Sequence, residues 1–364
     1  MHPAYDLLDL RPAGFEPRVG GMDWLPDGRL VVCCLEPLGG VYVLDGVRGD
    51  DPSGITVKRI AAGLGEPLGL KVVGKRIFVL QKQELTELID RTGDDVADEY
   101  RTLASGWGMT ATFHEFAHGL VYKDHHFYAA LSTARLPGGA SAASQAPDRG
   151  SIVRIAMDGS HEVVASGLHA PGGIGQGADG EIFLTDQRGP WIPAAKLLHV
   201  QQDAFYGSRA IDPKGTRSQG VTPPAVWLPH GAIVGAPSEP GVLREGPFTG
   251  QVLYGDLTHG GLQRVFVERV GAQLQGCVFR FTQGLGAGVN RWTSGPGGAL
   301  FAGGSGGPRT WGPSGEREHG LVRLKPNGKS VFEMHTVRAT PRGLRIDFTQ
   351  PLADVAGGDR DDYE

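Results

Sequence analysis

The sequence predicts an all-β fold, a six-bladed β-propeller of four-stranded blades, on three observations. Runs rich in β-branched and aromatic residues recur as hairpin units. The turns inside them are Asp-Gly or Gly-Lys pairs, which supply the positive φ that a two-residue hairpin turn needs. The units return at roughly 45 to 65 residues, a blade-like period that a sandwich or a barrel would leave unexplained. Composition agrees. Of 364 residues 58 are Gly and 25 are Pro, with 40% hydrophobic and no Gly-X-Y period. Such a chain is globular and uses its glycine in turns; collagen and wholesale disorder are excluded.

In chain order, the hairpin units fall at residues 21–32, 68–80, 119–131 and 173–186, then in a weaker copy at 246–257, and last at 289–301. Third strands ending in a turn follow at 41–46, 152–159 and 321–328, and a fourth edge follows at 162–168. Helical periodicity is nearly absent, and its best candidate is the short stretch 194–200. The propeller is expected over residues 1–336 and a C-terminal extension over 337–364. In the extension, residues 340–351 read as one alternating strand, like the opening of an immunoglobulin-like module. The acidic run 359–364 ends the sequence before such a module is complete, which suggests a propeller cut from a longer protein or one with a frayed tail.

The net charge of −5 argues against a broad nucleic-acid footprint, which requires a clustered basic face. No run of about 18 apolar residues is present to span a bilayer. The first residues lack the basic-then-apolar order of a secretory signal, so the protein is either cytosolic or begins after a removed leader. Three cysteines cannot build a disulfide framework. Cys33 and Cys34 are adjacent in an apolar strand, so they point to opposite faces and read as small core residues.

Several groups are candidates for chemistry. His114-Glu115-Phe116-Ala117-His118 matches H-E-x-x-H, but zinc-protease chemistry needs that motif on a helix. Here Gly119 and a following strand break any helix, so the motif reads as a loop at the entry to the third blade's inner strand. That places His114, Glu115 and His118 near the central channel, as functional groups or as histidines satisfied by backbone. Asp90, Asp94 and Asp98 flank Gly93 with the spacing of a calcium loop, oxygen ligands alternating around a turn. Thr92 and Asp95 depart from that pattern, and a plain acidic hairpin tip is the alternative. Further polar groups recur at blade starts and loops: Asp186-Gln187-Arg188, His230, Asp256 with His259, and Asn290-Arg291. Burying charge is costly unless it is paired, so this recurrence suggests either a polar funnel or ion pairs that close the ring.

Residues 165–174, the run Asp179-Gly180-Glu181-Ile182-Phe183-Leu184-Thr185-Asp186-Gln187-Arg188-Gly189-Pro190, the preceding 150–160 and the later 204–207 together resemble the glucose/sorbosone dehydrogenase family of soluble quinoproteins. More closely, residues 18–350 resemble the propeller that opens large membrane-bound dehydrogenases of planctomycete-like bacteria, often joined to a haem-c domain. The resemblance implies a sugar or polyol dehydrogenase with pyrroloquinoline quinone (PQQ) as hydride acceptor and calcium polarising it. It also implies a periplasmic location and a haem-c or other electron-acceptor partner. His114 or Glu115 falls where the family carries its base, and Arg291 matches one of its quinone-contacting arginines. His118, Asp186, Gln187, Arg188, His230, Asp256, His259 and Asn290 would line the cofactor funnel. The family's Arg-Asn-Pro contact reads His169-Ala170-Pro171 here, and Trp191-Ile192-Pro193-Ala194 stand where its acidic calcium run would be. A metal-dependent lactonase and a non-catalytic carbohydrate- or partner-binding propeller are the alternatives, because this fold class hosts all three.

Overall fold

The computed structural model describes residues 1–189, 192–306 and 317–353. Its strands form six four-stranded antiparallel sheets and one two-stranded sheet. β1 is Tyr5–Asp9. Blade 1 is β2 (Val19–Trp24), β3 (Leu30–Cys34), β4 (Val41–Asp45) and β5 (Thr56–Ala61). Blade 2 is β6 (Gly69–Val73), β7 (Arg76–Leu80), β8 (Glu84–Ile89) and β9 (Glu99–Ser105). Blade 3 is β10 (Ala117–Lys123), β11 (His126–Leu131), β12 (Ser151–Ala156) and β13 (His161–Ser166). Blade 4 is β14 (Pro171–Gln176), β15 (Ile182–Asp186), β16 (Ala194–His199) and β17 (Val226–Pro229). Blade 5 is β18 (Pro237–Val242), β19 (Val252–Asp256), β20 (Gly261–Val270) and β21 (Gln273–Thr282). Blade 6 takes β22 (Val289–Ser294), β23 (Leu300–Ser305) and β24 (His319–Pro326), and β1 pairs with β24 to complete it. The N-terminal strand therefore closes the ring.

Among the described residues, helix is confined to three short 3₁₀ turns. Residues 194–200, the best helical candidate in the sequence, form β16 instead. That strand is buried along both faces, so it lacks the alternation that marks a half-buried strand, and periodicity alone could not separate it from a buried helix.

Among the described residues there are six core clusters, each joining neighbouring blades. Val31 and Cys33 of blade 1 pack with Leu70 and Val79 of blade 2. Cys34, from the same strand, packs with Phe301 and Leu321 of blade 6. The adjacent cysteines thus serve opposite interfaces as fully buried, free thiols, as the strand reading requires.

The inner strands explain much of the glycine. At Gly172 an added Cβ would sit 1.9 Å from Pro237 O of the next blade, and at Gly20 it would sit 1.9 Å from Pro67 O. Only glycine lets neighbouring backbones approach so closely around the axis. The inner strand also carries a bulge near its entry in five blades, between Val19 and Gly21, His118 and Val121, Pro171 and Gly173, Pro237 and Pro240, and Val289 and Arg291. A bulge turns one residue out of the ladder and re-aims its neighbours.

The strand expected over 340–351 is β26 (Gly343–Phe348), paired with β25 (Met334–Thr340) in a hairpin docked on blade 5. Buried Arg264 of β20 anchors it, donating to Met334 O at 2.7 Å and His335 O at 3.3 Å. The hairpin starts at Met334, just inside the stretch read as propeller. The acidic run 359–364 lies outside the described residues.

Candidate functional site

One side chain occupies the centre of the ring. The Arg291 guanidinium donates from Nε to Gly20 O of blade 1 at 2.8 Å and from Nη2 to Leu68 O, beside blade 2, at 2.7 Å. Its Nη2 lies 3.5 Å from His118 Nδ1 of blade 3, and Nη1 donates to Gly172 O of blade 4 at 3.1 Å. Glu239 Oε2 of blade 5 pairs with Nε at 3.0 Å, and Asn290 of blade 6 accepts at its main-chain O (2.7 Å) and at Oδ1 (3.0 Å). Every blade contributes one partner. Gly20, Gly172 and Asn290 are the residues skipped by the bulges, so this local irregularity presents their oxygens to the axis. Arg291 is fully buried and its donors are consumed by the fold; it plugs the channel and is not among the residues lining the cavities on either side.

The plug separates two mouths. The upper one is a cavity of about 460 Å³ between blades 3, 4 and 5, lined by His114, His118, Arg135, Gln187 and Thr258 and walled by the 136–139 turn. The lower one, about 340 Å³, is lined by Asp23, Lys71, Glu239 and two tryptophans, Trp24 and Trp292. Burial pushes the Glu239 carboxyl up to about 7 against the pull of Arg291 and Lys71.

In the upper funnel both imidazoles are held neutral. Burial, then the positive charges of Arg135 and Lys82, push His114 below its ordinary value. Burial, then Arg291, Arg135 and Arg149, push His118 well below. A base that is unprotonated at neutral pH is what proton abstraction requires.

Most of the other sequence candidates are engaged elsewhere. The Glu115 carboxylate turns away from the funnel: Oε2 accepts from Thr110 N at 2.6 Å and Thr110 Oγ1 at 3.0 Å, and Oε1 lies 3.7 Å from Arg149 Nε. Asp186 accepts from Ala170 N at 2.7 Å and pairs with Lys196 Nζ at 3.0 Å. Asp256 accepts from Gly235 N (2.9 Å), Thr258 N (2.8 Å) and His259 Nδ1 (2.9 Å). These two carboxylates end the second strands of blades 4 and 5, and each fastens the loop that enters its own blade's inner strand. Ser132, just past β11, does the same in blade 3 by accepting from Phe116 N at 2.7 Å. The recurrence of polar groups at blade starts is thus a repeated staple. Asn290 Nδ2 donates to Val19 O at 2.7 Å, across the ring closure. Arg188 and His230 are exposed, and of the polar candidates singled out in the sequence His114, His118 and Gln187 line the funnel, with Pro171 beside them.

The 90–98 loop is closed by its own carboxylates. Asp90 accepts from Gly93 N (2.7 Å) and Asp95 N (2.8 Å), Asp98 from Arg91 N (2.7 Å), and Asp94 from Val96 N (2.9 Å). Among the described residues no group of three or more His, Cys, Asp or Glu gathers to hold a metal ion, here or in the funnel.

Sequence reasoning missed Arg135. It follows the second strand of blade 3 as Gln187-Arg188 follow that of blade 4, and a lone charge in that loop was the available signal. Glu239, a single carboxylate inside an inner strand, was equally visible.

The profile of a domain of unknown function, DUF7133, matches residues 22–224. The chain belongs to the DUF7133 family. No curated protein matches this DUF7133 chain by sequence. Its fold is shared with solved sugar dehydrogenase propellers. An oxidoreductase of Thermus thermophilus, described as a glucose dehydrogenase, superposes with a TM-score of 0.65 at 16% identity, covering 88% of this chain and 99% of its own. The PQQ-bound aldose sugar dehydrogenase of Streptomyces coelicolor gives 0.64 at 15%, covering 89% and 99%. The soluble aldose sugar dehydrogenase of Escherichia coli, in its apo form, gives 0.63 at 15%, covering 89% and 100%. The DUF7133 chain therefore shares its propeller fold with the sugar dehydrogenases that its sequence resembles.

Proposed function

We propose that this propeller is a sugar dehydrogenase-like oxidoreductase that takes a carbohydrate or polyol into its upper funnel, with His114 as the base. The observation that carries the reading is a neutral-held imidazole on the wall of a polar funnel, in a fold shared with sugar dehydrogenases. His114 takes the proton of the substrate hydroxyl as the C–H bond beside it loses hydride to an acceptor. His118 presents its Nδ1 toward the Arg291 donor, which favours the tautomer with the proton on Nε2. Gln187 and Thr258 supply neutral polar contacts to hydroxyls.

The donor set fits an acidic planar quinone, because Arg135 Nε is sealed from solvent and has no hydrogen-bond partner. Arg135 and Gln187 would hold such a group. When bound, PQQ would supply the hydride-accepting chemistry. Calcium does not fit the described residues: no carboxylate is among those lining the funnel, and Asp186 and Asp256 are committed to backbone amides, Lys196 and His259, which also disfavours the metal-dependent lactonase reading. An extracytoplasmic location and an external electron-acceptor protein belong to this proposal. Among the described residues no helix is long and apolar enough to cross a membrane.

The test is dye reduction by the purified protein with added PQQ over a panel of aldoses and polyols. Turnover should require the quinone and rise with pH through a pKa below the ordinary histidine value. It should be lost in His114→Ala with the circular dichroism unchanged. No turnover on any sugar, or a fully active His114→Ala, overturns the reading.

A further inference from the structure

Arg135 is a cation with an incomplete set of partners. Its Nε is buried and unbonded, and among the described residues its guanidinium has neither a hydrogen bond nor an ion pair. The fully buried arginines, Arg149, Arg264, Arg291 and Arg323, have all taken main-chain partners through their guanidinium groups, although Nε of Arg264 and of Arg323 is itself unbonded. Arg149 reaches Gly108 O, Phe116 O and Lys82 O at 2.8–2.9 Å, and Arg291 and Arg264 are bonded as described above. A buried donor left unpaired carries a desolvation cost, so the fold maintains a penalty at Nε of this half-buried side chain.

The segment around Arg135 is stitched firmly. Arg135 N donates to His114 O at 3.0 Å, Ala142 N to Ala134 O at 2.8 Å, and Leu136 N to Ala140 O at 2.8 Å. Gln145 bonds Ala134 through both its amide atoms, each at 2.8 Å. The side chain is thus presented from a fixed backbone beside His114, on the wall of the funnel. Asp186 is the acidic group it senses, and that carboxylate is already paired with Lys196. The other titratable groups facing the funnel, His114 and His118, carry no negative charge.

We infer that Arg135 is an anion-binding residue and that the funnel takes a small ligand bearing a carboxylate, held against the guanidinium within reach of His114. A planar fork of N–H donors matches a carboxylate in two-point geometry, which a neutral hydroxyl cannot replace. The carboxylate has two sources, an acidic sugar as substrate or the carboxylates of a quinone cofactor. The inference goes beyond the dehydrogenase reading, because it holds whatever reaction follows.

The full chain and Arg135→Gln are titrated by calorimetry with glucuronate, glucose and PQQ separately, and both proteins are melted. Because the guanidinium bonds nothing, Arg135→Gln should melt at or above the wild-type temperature. Wild type binding glucuronate at least tenfold more tightly than glucose, with the preference gone in the variant, supports the sugar-acid source. PQQ affinity falling about ten- to a hundredfold in the variant supports the cofactor source. Arg135→Lys, which keeps the charge without the fork, should retain part of either affinity. The inference is overturned if neither acid binds wild type, if both bind the variant equally well, or if Arg135→Gln melts far below wild type, since the guanidinium is then structural. Failure of dye reduction leaves these binding outcomes intact, so the two proposals fail separately.

Discussion

Replacing Arg291 by Met keeps the length and volume of the side chain and deletes the guanidinium, and its effect can be worked from the contacts. Four main-chain carbonyls, those of Gly20, Leu68, Gly172 and Asn290, lose their donor at the axis. Each buried acceptor left unsatisfied costs about 1–3 kcal/mol. Glu239 loses its 3.0 Å partner, and breaking a buried pair from one side costs about 3–5 kcal/mol. Against this stands the desolvation of the guanidinium itself, several kcal/mol that the Met side chain avoids. Protonation of Glu239 softens its loss, and waters entering from either mouth recover some of the carbonyls. The unpaired groups outweigh that saving, so a net loss of several kcal/mol remains, a large share of the roughly 5–15 kcal/mol typical of a folded protein. The assay is urea unfolding followed by tryptophan fluorescence, with Glu239→Gln and the double variant completing a cycle. The double variant should be less destabilised than the sum of the singles, since the carboxylate no longer lacks a partner. From sequence, Arg291→Ala is expected to abolish turnover while leaving the fold intact. The hub makes stability the affected quantity instead. If Arg291→Met unfolds within about 1 kcal/mol of wild type yet binds no ligand, Arg291 is a functional group and the hub argument is refuted.

Glu239 also gives a pH prediction. Its folded pKa, about 7, lies above the ordinary unfolded value, so folding takes up a proton, and the associated stability is present at acid pH and lost as pH rises through 7. Relative to Glu239→Gln, wild type should lose about 1.4 kcal/mol per pH unit between about pH 4.5 and 7 and nothing further above it; a flat difference across that window refutes the assignment. Calcium should leave the melting temperature unchanged, because Asp90, Asp94 and Asp98 already hold backbone amides. A stabilisation that disappears in Asp90→Asn would show that the loop rearranges to bind it.

The blades were legible because hairpin turns announce themselves locally: an Asp-Gly pair between β-branched runs needs no tertiary information. The same logic placed Cys33 and Cys34 on opposite faces. What sequence could not supply was direction. Glu115 and His114 are neighbours in the chain, yet one faces Arg149 beneath a loop and the other faces the funnel. Asp186 and Asp256 looked like funnel groups because they recur, but recurrence marks a structural repeat as readily as a site. The bulges that aim Gly20 and Gly172 at Arg291 leave no residue signature beyond glycine. Arg135 is the reverse case, an ordinary loop arginine whose significance lies in the partners it lacks.

The closure of blade 6 by β1 sets an order of events. Tyr5–Asp9 has no ladder until His319–Pro326 has been made, and five blades are complete in sequence before that point. Until then the first strand is an open edge with unpaired amides, and the last blade presents another, each a template for pairing with other chains. During synthesis at about 5–20 residues per second that exposure lasts on the order of 15 to 60 seconds. The early chain must therefore stay open at its first strand while later blades pack, and the ring is locked only by the meeting of its two most distant strands. A second molecule at the same stage offers the same pair of edges, so exchange of β1 between two chains is the misassembly this topology most directly permits.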